Sequence, residues 1–441
     1  MTRAMKEANV PWIGKMPQNW ELVRVKDVSP VNRGASPRPI DDEIYFDDQG
    51  EYAWVRISDV SASSGFLEST TQRLSKLGQT KSVKRQPGDL FLSIAGTIGK
   101  ACITNIKACI HDGFVYFPRM HDRTTKRFFF YLFNSGLAYD GLGKLGTQLN
   151  LNTETVGSIL VPLPPITEQA VITNYILRQT TRIDKRRELL AKKRELLQDL
   201  RSNLIAETIA FGLHGKAAEP TGLADLPALP IGWQASHTKR LLRFITSGSR
   251  GWAEYYAEDG DIFLRIGNLT RETIDLDLSD TKYVRLPAKA AEGKRTRLRP
   301  GDLLVSITAD LGSIAVVPVL EKAAYVSQHI ALCRPKEGVH PRWLGYAMLS
   351  PQTKRQLMSS GYGGTKIQLS LDDVRKVWLA VPPLDEQLEI ANYLDQRLSK
   401  IARQIALIDQ LDELLKQQRK AIIHEAVTGK IDLSDHKITA M

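Results

Sequence analysis

The sequence predicts an α+β fold: two mixed α/β domains related by pseudo-twofold symmetry and separated by two long helices that form an antiparallel coiled coil. The first observation is a repeat. Residues 160–176 recur 218 positions later, so that Pro164-Pro165 corresponds to Pro382-Pro383. Solenoid repeats recur roughly every 20–50 residues, so this longer period indicates a duplicated domain with its connector. The second observation is a seven-residue apolar period after each Pro-Pro pair.

Four further segments recur in the same order in both halves and define the domains. They are Pro17-Gln-Asn-Trp20 with Pro230-Ile-Gly-Trp233, Trp54-Val-Arg-Ile-Ser-Asp59 with Phe263-Leu-Arg-Ile-Gly-Asn268, Pro87-Gly-Asp-Leu-Phe-Leu-Ser-Ile94 with Pro300-Gly-Asp-Leu-Leu-Val-Ser-Ile307, and Gly146-Thr-Gln-Leu-Asn-Leu151 with Gly364-Thr-Lys-Ile-Gln-Leu369. The resulting boundaries are 1–163 for the first domain, 164–215 for the first long helix, 216–381 for the second domain, 382–431 for the second long helix and 432–441 for a tail.

Inside each domain, short apolar runs between Gly and Pro residues predict a mixture of strands and helices. Residues 90–94 and 303–307 each follow a Pro-Gly-Asp turn and predict buried strands. Residues 127–133 and 341–348 predict short helices. Residues 216–230 are rich in Ala, Gly and Pro and predict a linker between the halves.

Each long helix is predicted from its cap candidate and its apolar period. Thr167 and Asp385 can act as N-caps shortly after the Pro-Pro pairs. Five successive apolar positions at a spacing of seven residues exceed what an ordinary amphipathic helix shows and indicate a coiled-coil seam. The seam residues are Ile176, Ile183, Leu190, Leu197 and Leu204 in the first helix, and Leu394, Ile401, Ile408, Leu415 and Ile422 in the second.

The seam is incomplete in a single helix, because the positions four residues on include Arg187, Arg194 and Asp412. An exposed apolar stripe needs a partner, and the other helix is the simplest one. Since a whole domain separates the two helices, we expect them to run antiparallel. A helix of about 45 residues is about 65–70 Å long, enough to hold the two domains apart.

Composition and charge limit the class of protein. The 441 residues are 42% hydrophobic and 25% charged, as in globular proteins, and the net charge of +11 fits either a polyanionic partner such as nucleic acid or a solvated basic surface. Residues 178–201 carry nine basic and four acidic side chains, which could line a DNA backbone or form the solvated side of a coiled coil. No apolar run reaches membrane-span length and the start lacks a signal-peptide core, so we expect a cytoplasmic protein.

Catalytic and metal-binding patterns are absent from the sequence. Both Pro-Pro pairs follow apolar residues, unlike the motif of amino-methyltransferases. Residues 96–100 resemble a phosphate loop but lack its glycine spacing and the Ser or Thr after Lys100. Three cysteines without metal-ligand spacing predict neither a disulfide framework nor a zinc site. We therefore expect a chain that is not an enzyme and that holds no metal.

The chain resembles the specificity (S) subunits of type I restriction-modification systems over essentially its whole length. The resemblance rests on the opening Pro11-Trp12-Ile-Gly-Lys-Met-Pro17-Gln-Asn-Trp20, the Trp54 and Phe263 segments, the Pro-Gly-Asp-Leu strands, the duplicated Pro-Pro-x-x-Glu-Gln and the ending Glu425-Ala-Val-Thr-Gly-Lys430. It implies two target-recognition domains, each reading one half of a bipartite double-stranded DNA sequence, with the helices setting the gap between the halves.

The resemblance also implies partners and cofactors. Two methyltransferase subunits would dock on the helices, and restriction subunits would join them. This chain would hold no cofactor, whereas S-adenosylmethionine, ATP and Mg²⁺ would bind the partner subunits. The methyltransferase would carry out the chemistry and flip the target base.

Residues that read DNA bases should be polar side chains on loops that differ between the halves. The candidates are Arg33, Ser36, Arg38, Thr97, Lys100, Gln148 and Asn150 in the first domain, and Ser247, Ser249, Arg250, Thr308, Asp310, Lys366 and Gln368 in the second. Each of them could instead be an ordinary polar loop residue. Arg56 and Arg265 do not differ between the halves, which favours phosphate positioning or a structural role.

Two other functions stay open from the residues alone. A stand-alone bipartite DNA-binding regulator would bind its target tightly without partners. An endonuclease could use a diverged metal-dependent carboxylate site at Asp89 or Asp302, although both residues lie in Pro-Gly-Asp turns and fit a strand start better.

Overall fold

The computed structural model describes residues 3–139, 151–287, 291–308, 311–360 and 368–433. The chain forms two compact units, one made of Met1–Leu190 with Gln410–Met441 and the other of Ala191–Asp409. Each unit therefore combines a globular part with one portion of each long helix. This division differs from the predicted boundaries, which set both helices apart from the domains.

The first unit is built on two sheets. A five-stranded sheet has the order β4-β12-β9-β10-β6, a four-stranded sheet has the order β7-β5-β11-β8, and β13 pairs with β3. The strands are β1 (Met5–Glu7), β2 (Lys15–Pro17), β3 (Glu21–Arg24), β4 (Asn32–Arg33), β5 (Tyr52–Val55), β6 (Phe66–Leu67), β7 (Gln72–Leu74), β8 (Val83–Arg85), β9 (Leu90–Ser93), β10 (Ala101–Thr104), β11 (Ala108–Ile110), β12 (Phe114–Tyr116) and β13 (Leu160–Leu163). The helices are α1 (Val25–Val28), α2 (Ile57–Ala62), α3 (Lys76–Thr80), α4 (Lys126–Asn134), α5 (Thr153–Ser158) and the first part of α6 (Ile166–Phe211).

The second unit repeats the central strand orders of the first. Its sheets have the orders β17-β24-β21-β22 and β18-β20-β19-β23, and β16 pairs with β25. The strands are β14 (Ala218–Leu223), β15 (Leu226–Pro230), β16 (Gln234–His237), β17 (Leu242–Ser247), β18 (Tyr256–Ala257), β19 (Asp261–Leu264), β20 (Lys282–Val284), β21 (Leu303–Ser306), β22 (Ile314–Val316), β23 (Ala324–Val326), β24 (Ile330–Pro335) and β25 (Trp378–Val381). The helices are α7 (Thr238–Leu241), α8 (Ala291–Thr296), α9 (Pro341–Leu349), α10 (Pro351–Ser360), α11 (Leu371–Lys376) and part of α12 (Leu384–Val427).

The predicted α+β fold is confirmed, including β9, β21, α4 and α9. Both β9 and β21 are buried along their whole length, because each lies inside its sheet. Helix α4 buries all six residues from Phe128 to Phe133 in the core of the first unit. The predicted linker at 216–230 is wrong, since β14 and β15 pair there as an antiparallel hairpin.

The long helices begin earlier than the cap candidates suggested. Helix α6 begins at Ile166 and α12 at Leu384, so Thr167 and Asp385 lie inside the first turn. The carbonyl of Pro165 accepts hydrogen bonds from the backbone amides of Glu168 and Gln169. Pro165 is therefore the N-cap residue, one position before the first residue of α6. In the described residues, no helix is both long and apolar enough to cross a membrane.

The seam residues lie on the covered side of the helices. Ile176, Ile183, Leu197, Leu394, Ile401, Ile408 and Leu415 are buried, and Leu190, Leu204 and Ile422 are half-buried. Near the C-terminal end of each helix, the more buried residue is one position later, at Ile205 and Ile423. A helix with 3.6 residues per turn drifts by about 20° per heptad, which explains this shift.

Antiparallel pairing of the helices is confirmed within each unit. In the first unit, Arg187 bonds Asp412 at 2.7 Å and Arg419 bonds Asp184 at 3.2 Å, so the numbering rises on one helix as it falls on the other. In the second unit, Arg194 bonds Asp409 at 2.8 Å. Polar residues that leave the seam incomplete in one helix are thus matched by opposite charges on the other.

The duplicated Glu-Gln pair joins each helix to its globular part. Glu168 accepts hydrogen bonds from Trp20 and Arg3, and Glu386 accepts them from Trp233 and Lys216. The two glutamines form an equally repeated set. Gln169 donates to the Pro164 carbonyl and accepts from the Thr125 amide, while Gln387 donates to the Pro382 carbonyl and accepts from the His340 amide. The Glu-Gln pair therefore has the same structural role in both units, and this role explains why the pair recurs in the sequence.

The two units cap their equivalent helices with different side chains, and this difference predicts a pH effect. Thr125 caps α4, whereas the Nδ1 atom of His340 accepts from the Trp343 amide at the start of α9. Burial lowers the pKa of His340 and Arg342 adds to this, while Asp395 opposes it. The neutral form is thus favoured on folding, and its stabilisation is complete above the ordinary histidine pKa of 6.5 and is lost as the pH falls through the lower folded value.

We expect His340→Thr, which copies the cap of the first unit, to flatten the loss of stability on acidification. Urea unfolding of both proteins at about pH 7.5 and about pH 5.5 measures it. His111, whose pKa is also lowered by burial, is present in both proteins and cancels in the comparison. An equal loss in both proteins would contradict the role of His340.

Candidate nucleic-acid interface

In the first unit, three of the predicted base-reading residues converge on the turn between β11 and β12. Arg33 donates to the Asp112 carbonyl at 2.6 Å, Ser36 bonds the Asp112 carboxylate at 2.8 Å, and Arg38 bonds it at 2.9 Å. Burial tends to raise the pKa of Asp112, but Ser36 and Arg38 outweigh it, and the pKa lies below its ordinary value. The result is a polar cluster in which an acceptor and two exposed guanidinium groups meet.

Gly34 makes this arrangement possible. Its amide donates to the Phe114 carbonyl, and any side chain at this position would collide with the backbone carbonyl of His111. The second unit uses Gly248 in the same way, with its amide on the Ile330 carbonyl and the Ser327 carbonyl against its Cα. Both units thus hold the same loop backbone against the same turn.

The second predicted region of the first unit is the loop between β9 and β10. Thr97 lies 2.5 Å from the Ser61 hydroxyl, and the Lys100 ammonium donates to the carbonyls of Ser61 and Ser63 at 3.0 and 2.7 Å. The loop joins two antiparallel strands, not a strand and a helix, which excludes a phosphate loop of the nucleotide-binding kind. Burial lowers the pKa of Lys100.

In the second unit, the candidates surround the turn between β23 and β24. Ser249 is buried and accepts the Gln328 amide at its carbonyl, and Arg250 beside it is exposed. Thr308 lies 2.8 Å from His329 Nδ1 and forms a β-bridge with Gln368. Ser247 ends β17 and is half-buried. Four candidates, Gln148, Asn150, Asp310 and Lys366, lie outside the described residues.

Arg56 and Arg265 each begin a short helical segment directly after a strand. The Arg56 amide donates to Asp59 and its guanidinium group to Gln72, whereas the Arg265 amide donates to Asn268 and its guanidinium group to Asp280 at 3.0 Å. Two buried atoms of the second unit, Arg265 Nε and Ser327 Oγ, have no hydrogen-bond partner among the described residues, and each belongs to the residue that follows one of the paired strands β19 and β23. Buried polar atoms normally have one, so this place is suited to an added polar ligand.

Three residues of these clusters were not predicted. Asp112, Gln328 and His329 lie in strand-to-strand turns that carry no motif. Only their position after the parallel pairs β5/β11 and β19/β23 brings them next to the predicted loops. A comparison of the two halves at these turns would have shown that their side chains differ while the flanking strands match.

Asp89 and Asp302, the two carboxylates considered for a nuclease site, form ion pairs with neighbouring cations. Asp89 bonds Lys126 at 2.7 Å, and Asp302, which is 1% exposed, forms two 2.7 Å bonds with Arg334 and one with the Arg299 amide. Within the described ranges, no three His, Cys, Asp or Glu side chains are grouped so as to hold a metal ion. Both aspartates begin strands, as their turns suggested.

Comparisons with known proteins identify the family and the fold. A family model described as the type I restriction modification DNA specificity domain matches residues 17–195 and 266–417. The chain is 22% identical over 321 residues to the type I restriction enzyme EcoBI specificity subunit of Escherichia coli, a match that covers 70% of this chain and 66% of that subunit. It is also 22% identical over 446 residues to the putative MjaX specificity subunit of Methanocaldococcus jannaschii, over 95% of each chain.

Two solved structures share the fold. One, described as the structural basis of complex assembly and conformational transition of the type I R-M system, has a TM-score of 0.70 at 20% identity and covers 94% of this chain and 99% of its own. The HsdS subunit from Thermoanaerobacter tengcongensis has a TM-score of 0.51 at 21% identity, over 94% and 98%. The family match spans most of the sequence, and the chain belongs to the type I restriction-modification DNA specificity family.

Proposed function

We propose that the chain is the DNA sequence-specificity subunit of a type I restriction-modification complex, and that each unit reads one half of a bipartite target. The observation that carries this proposal is the same loop backbone with different side chains in the two units. Gly34 and Gly248 hold equivalent loops, yet Asp112 faces the first loop and accepts from two of its arginines, whereas Gln328 and His329 face the second. Different donors and acceptors on one backbone suit the reading of two different base sequences.

The chemistry of modification and cleavage would belong to partner subunits. On this view the chain itself is not catalytic, and S-adenosylmethionine, ATP and Mg²⁺ bind to the methyltransferase and restriction subunits. The polar clusters of both units are built from hydrogen-bond donors and acceptors that match base edges and phosphates. Asp89 is half-buried and Asp302 is buried, and both are paired with cations, which favours this function over a nuclease.

Exposed leucines on the long helices support docking of two methyltransferase subunits. The first unit exposes Leu189, Leu411 and Leu414, and the second exposes Leu196, Leu200 and Leu407, with exposed fractions between 45% and 68%. Leu189 and Leu407, like Leu196 and Leu414, are 218 positions apart, and Leu189 and Leu196 are one heptad apart. An apolar heptad stripe outside the existing seam fits a further amphipathic helix. The repetition of the stripe suits one methyltransferase per unit.

The stoichiometry of the complex tests this proposal. We expect two methyltransferases per chain, and we expect Leu189→Glu with Leu414→Glu to leave one, because two buried carboxylates would remove the apolar contact of the first unit. Gln417→Glu with Gln418→Glu adds the same charge at exposed positions of α12 in the first unit and should keep two. Mass measurement of the purified complexes decides between these results.

A chain that binds its target tightly and specifically while ignoring the methyltransferase would contradict the proposal. That result would instead support a stand-alone DNA-binding regulator. An unchanged count of two in the leucine variant would show that docking does not use these leucines.

A further inference from the structure

A short basic segment of the second unit has a distinctive pattern of exposure. Arg295, Arg297 and Arg299 are exposed, whereas Thr296 and Leu298 between them are buried. The backbone is held in place, because the Leu298 amide donates to the Ala324 carbonyl at 2.8 Å. Arg295 lies near the end of α8, and Arg297 and Arg299 lie on either side of the fixed Leu298, so the segment presents three exposed guanidinium groups next to β23.

The side chains of these three arginines differ from most cations of the unit in their partners. Within the part of the chain that the structure describes, none of the three forms an ion pair or a side-chain hydrogen bond. Their backbones are engaged, since the Arg299 amide donates to Asp302 and the Arg297 carbonyl accepts from Arg334. Arginine carries a rigid fork of donors that matches phosphate oxygens, so an unused row of them fits a polyphosphate ligand.

At the equivalent edge of the first unit, the cationic side chains contact other residues of the same unit. It is formed by β8, which pairs with β11 as the basic segment follows β23. Lys84 lies over the Tyr52 ring at 4.7 Å, and Arg85 lies over the Tyr116 ring at 4.3 Å and 3.7 Å from Asp89. Within the described residues, the duplicated fold thus keeps the edge in both units, but the cations of β8 contact rings or Asp89, whereas the second unit presents a row of three arginines.

The basic segment adjoins the candidate interface. Thr296 Oγ1 lies 3.1 Å from the Ser249 hydroxyl, and the Ser249 carbonyl accepts the Gln328 amide. Arg250, next in the chain, is exposed, and the unpartnered Ser327 Oγ and Arg265 Nε lie at the ends of the paired strands β23 and β19. A ligand that reaches these polar atoms would pass beside the arginines.

We propose that Arg295, Arg297 and Arg299 form a track for the DNA phosphodiester backbone that only the second unit possesses. This inference rests on the proposed function. It divides the salt-dependent part of DNA binding unequally between the two units. The second unit supplies more of the sequence-independent affinity, and the first unit relies more on base contacts. Each phosphate neutralised adds about 0.9 to the slope of log affinity against log salt.

The test is DNA binding by the chain in complex with its methyltransferase at two salt concentrations. Replacing the three arginines by Gln should reduce the slope of log affinity against log salt by about 2.7. When the salt is raised from about 50 to about 200 mM, the fall in affinity of the variant should therefore be roughly 40-fold smaller than that of the unmodified protein. The methylated sequence should stay the same. The matched control, Lys76→Gln, Lys81→Gln and Lys84→Gln, removes three exposed cations from the first unit and should change the slope little.

Replacing the same arginines by Lys keeps the charge and should keep most of the slope, which separates a loss of charge from a loss of folding. An equal slope change in the first-unit control would overturn the track, because general charge would then explain the effect. An unchanged slope in the Gln variant would overturn it as well. If the unmodified complex shows no preference for any sequence, the proposed function itself fails, whatever the slopes are.

Discussion

Deleting residues 184–190 from α6 alone is expected to abolish assembly of an active complex. The deletion removes Asp184 and Arg187, which bond Arg419 and Asp412 on α12. It also moves every later residue of α6 by about 10.5 Å along the helix axis relative to an unchanged α12. We expect methylation in cells that carry the variant and the methyltransferase to fall by at least about 100-fold, a free-energy change of about 2.7 kcal/mol.

The matched deletion of residues 402–408 from α12 should restore activity with a changed target. Because one heptad is removed from both helices, the seam period is kept. If the helices set the distance between the two halves of the target, the gap should shorten by about three base pairs, since DNA rises about 3.4 Å per base pair. Sequencing of methylated positions in the genome measures the gap. An active double deletion with an unchanged gap would show that these helices are not the ruler.

Replacing Asp302 by Ala should destabilise the second unit by about 3–5 kcal/mol, the usual cost of breaking a buried ion pair. The Asp302 carboxylate is 1% exposed and accepts two hydrogen bonds from Arg334 and one from the Arg299 amide, so its loss leaves the half-buried guanidinium group of Arg334 without its carboxylate partner. Urea unfolding measures the change. Adding Arg334→Met should recover part of the loss, because the stranded charge is then removed as well.

The matched position in the first unit provides the control. Asp89 is more exposed and bonds the half-exposed Lys126, so Asp89→Ala should cost only about 1–2 kcal/mol. A loss below about 1 kcal/mol for Asp302→Ala would contradict the structural role of this ion pair. Magnesium-dependent DNA cleavage by the purified chain that Asp89→Ala abolishes would support the nuclease alternative instead.

Sequence periodicity was sufficient for the framework of this protein. The seven-residue period located α6 and α12, and the Pro-Gly-Asp turns located β9 and β21, because these signals are local and repeated. The starts of α6 and α12 lie two residues earlier than side-chain N-caps at Thr167 and Asp385 predict. A side-chain cap was expected at Thr167, whereas the Pro165 carbonyl begins the helix.

The polar clusters were only partly predictable. Arg33, Ser36 and Arg38 could be proposed from a divergent loop, but their partner Asp112 is 74 or more positions away and carries no motif. The arginine track was missed for a different reason. Its meaning depends on which neighbouring cations already form ion pairs. Among the described residues Arg85 forms one and Arg297 does not, and pairing is a property of the folded chain.

Methylome sequencing of cells that hold this chain with its methyltransferase, compared with cells lacking only this chain, tests the central claim most directly. The proposed function predicts a methylated motif with two specified parts separated by a fixed number of unspecified bases, and its complete loss when the chain is absent. A continuous motif, or methylation that persists without the chain, would contradict the claim that the two units read the two halves of a DNA target.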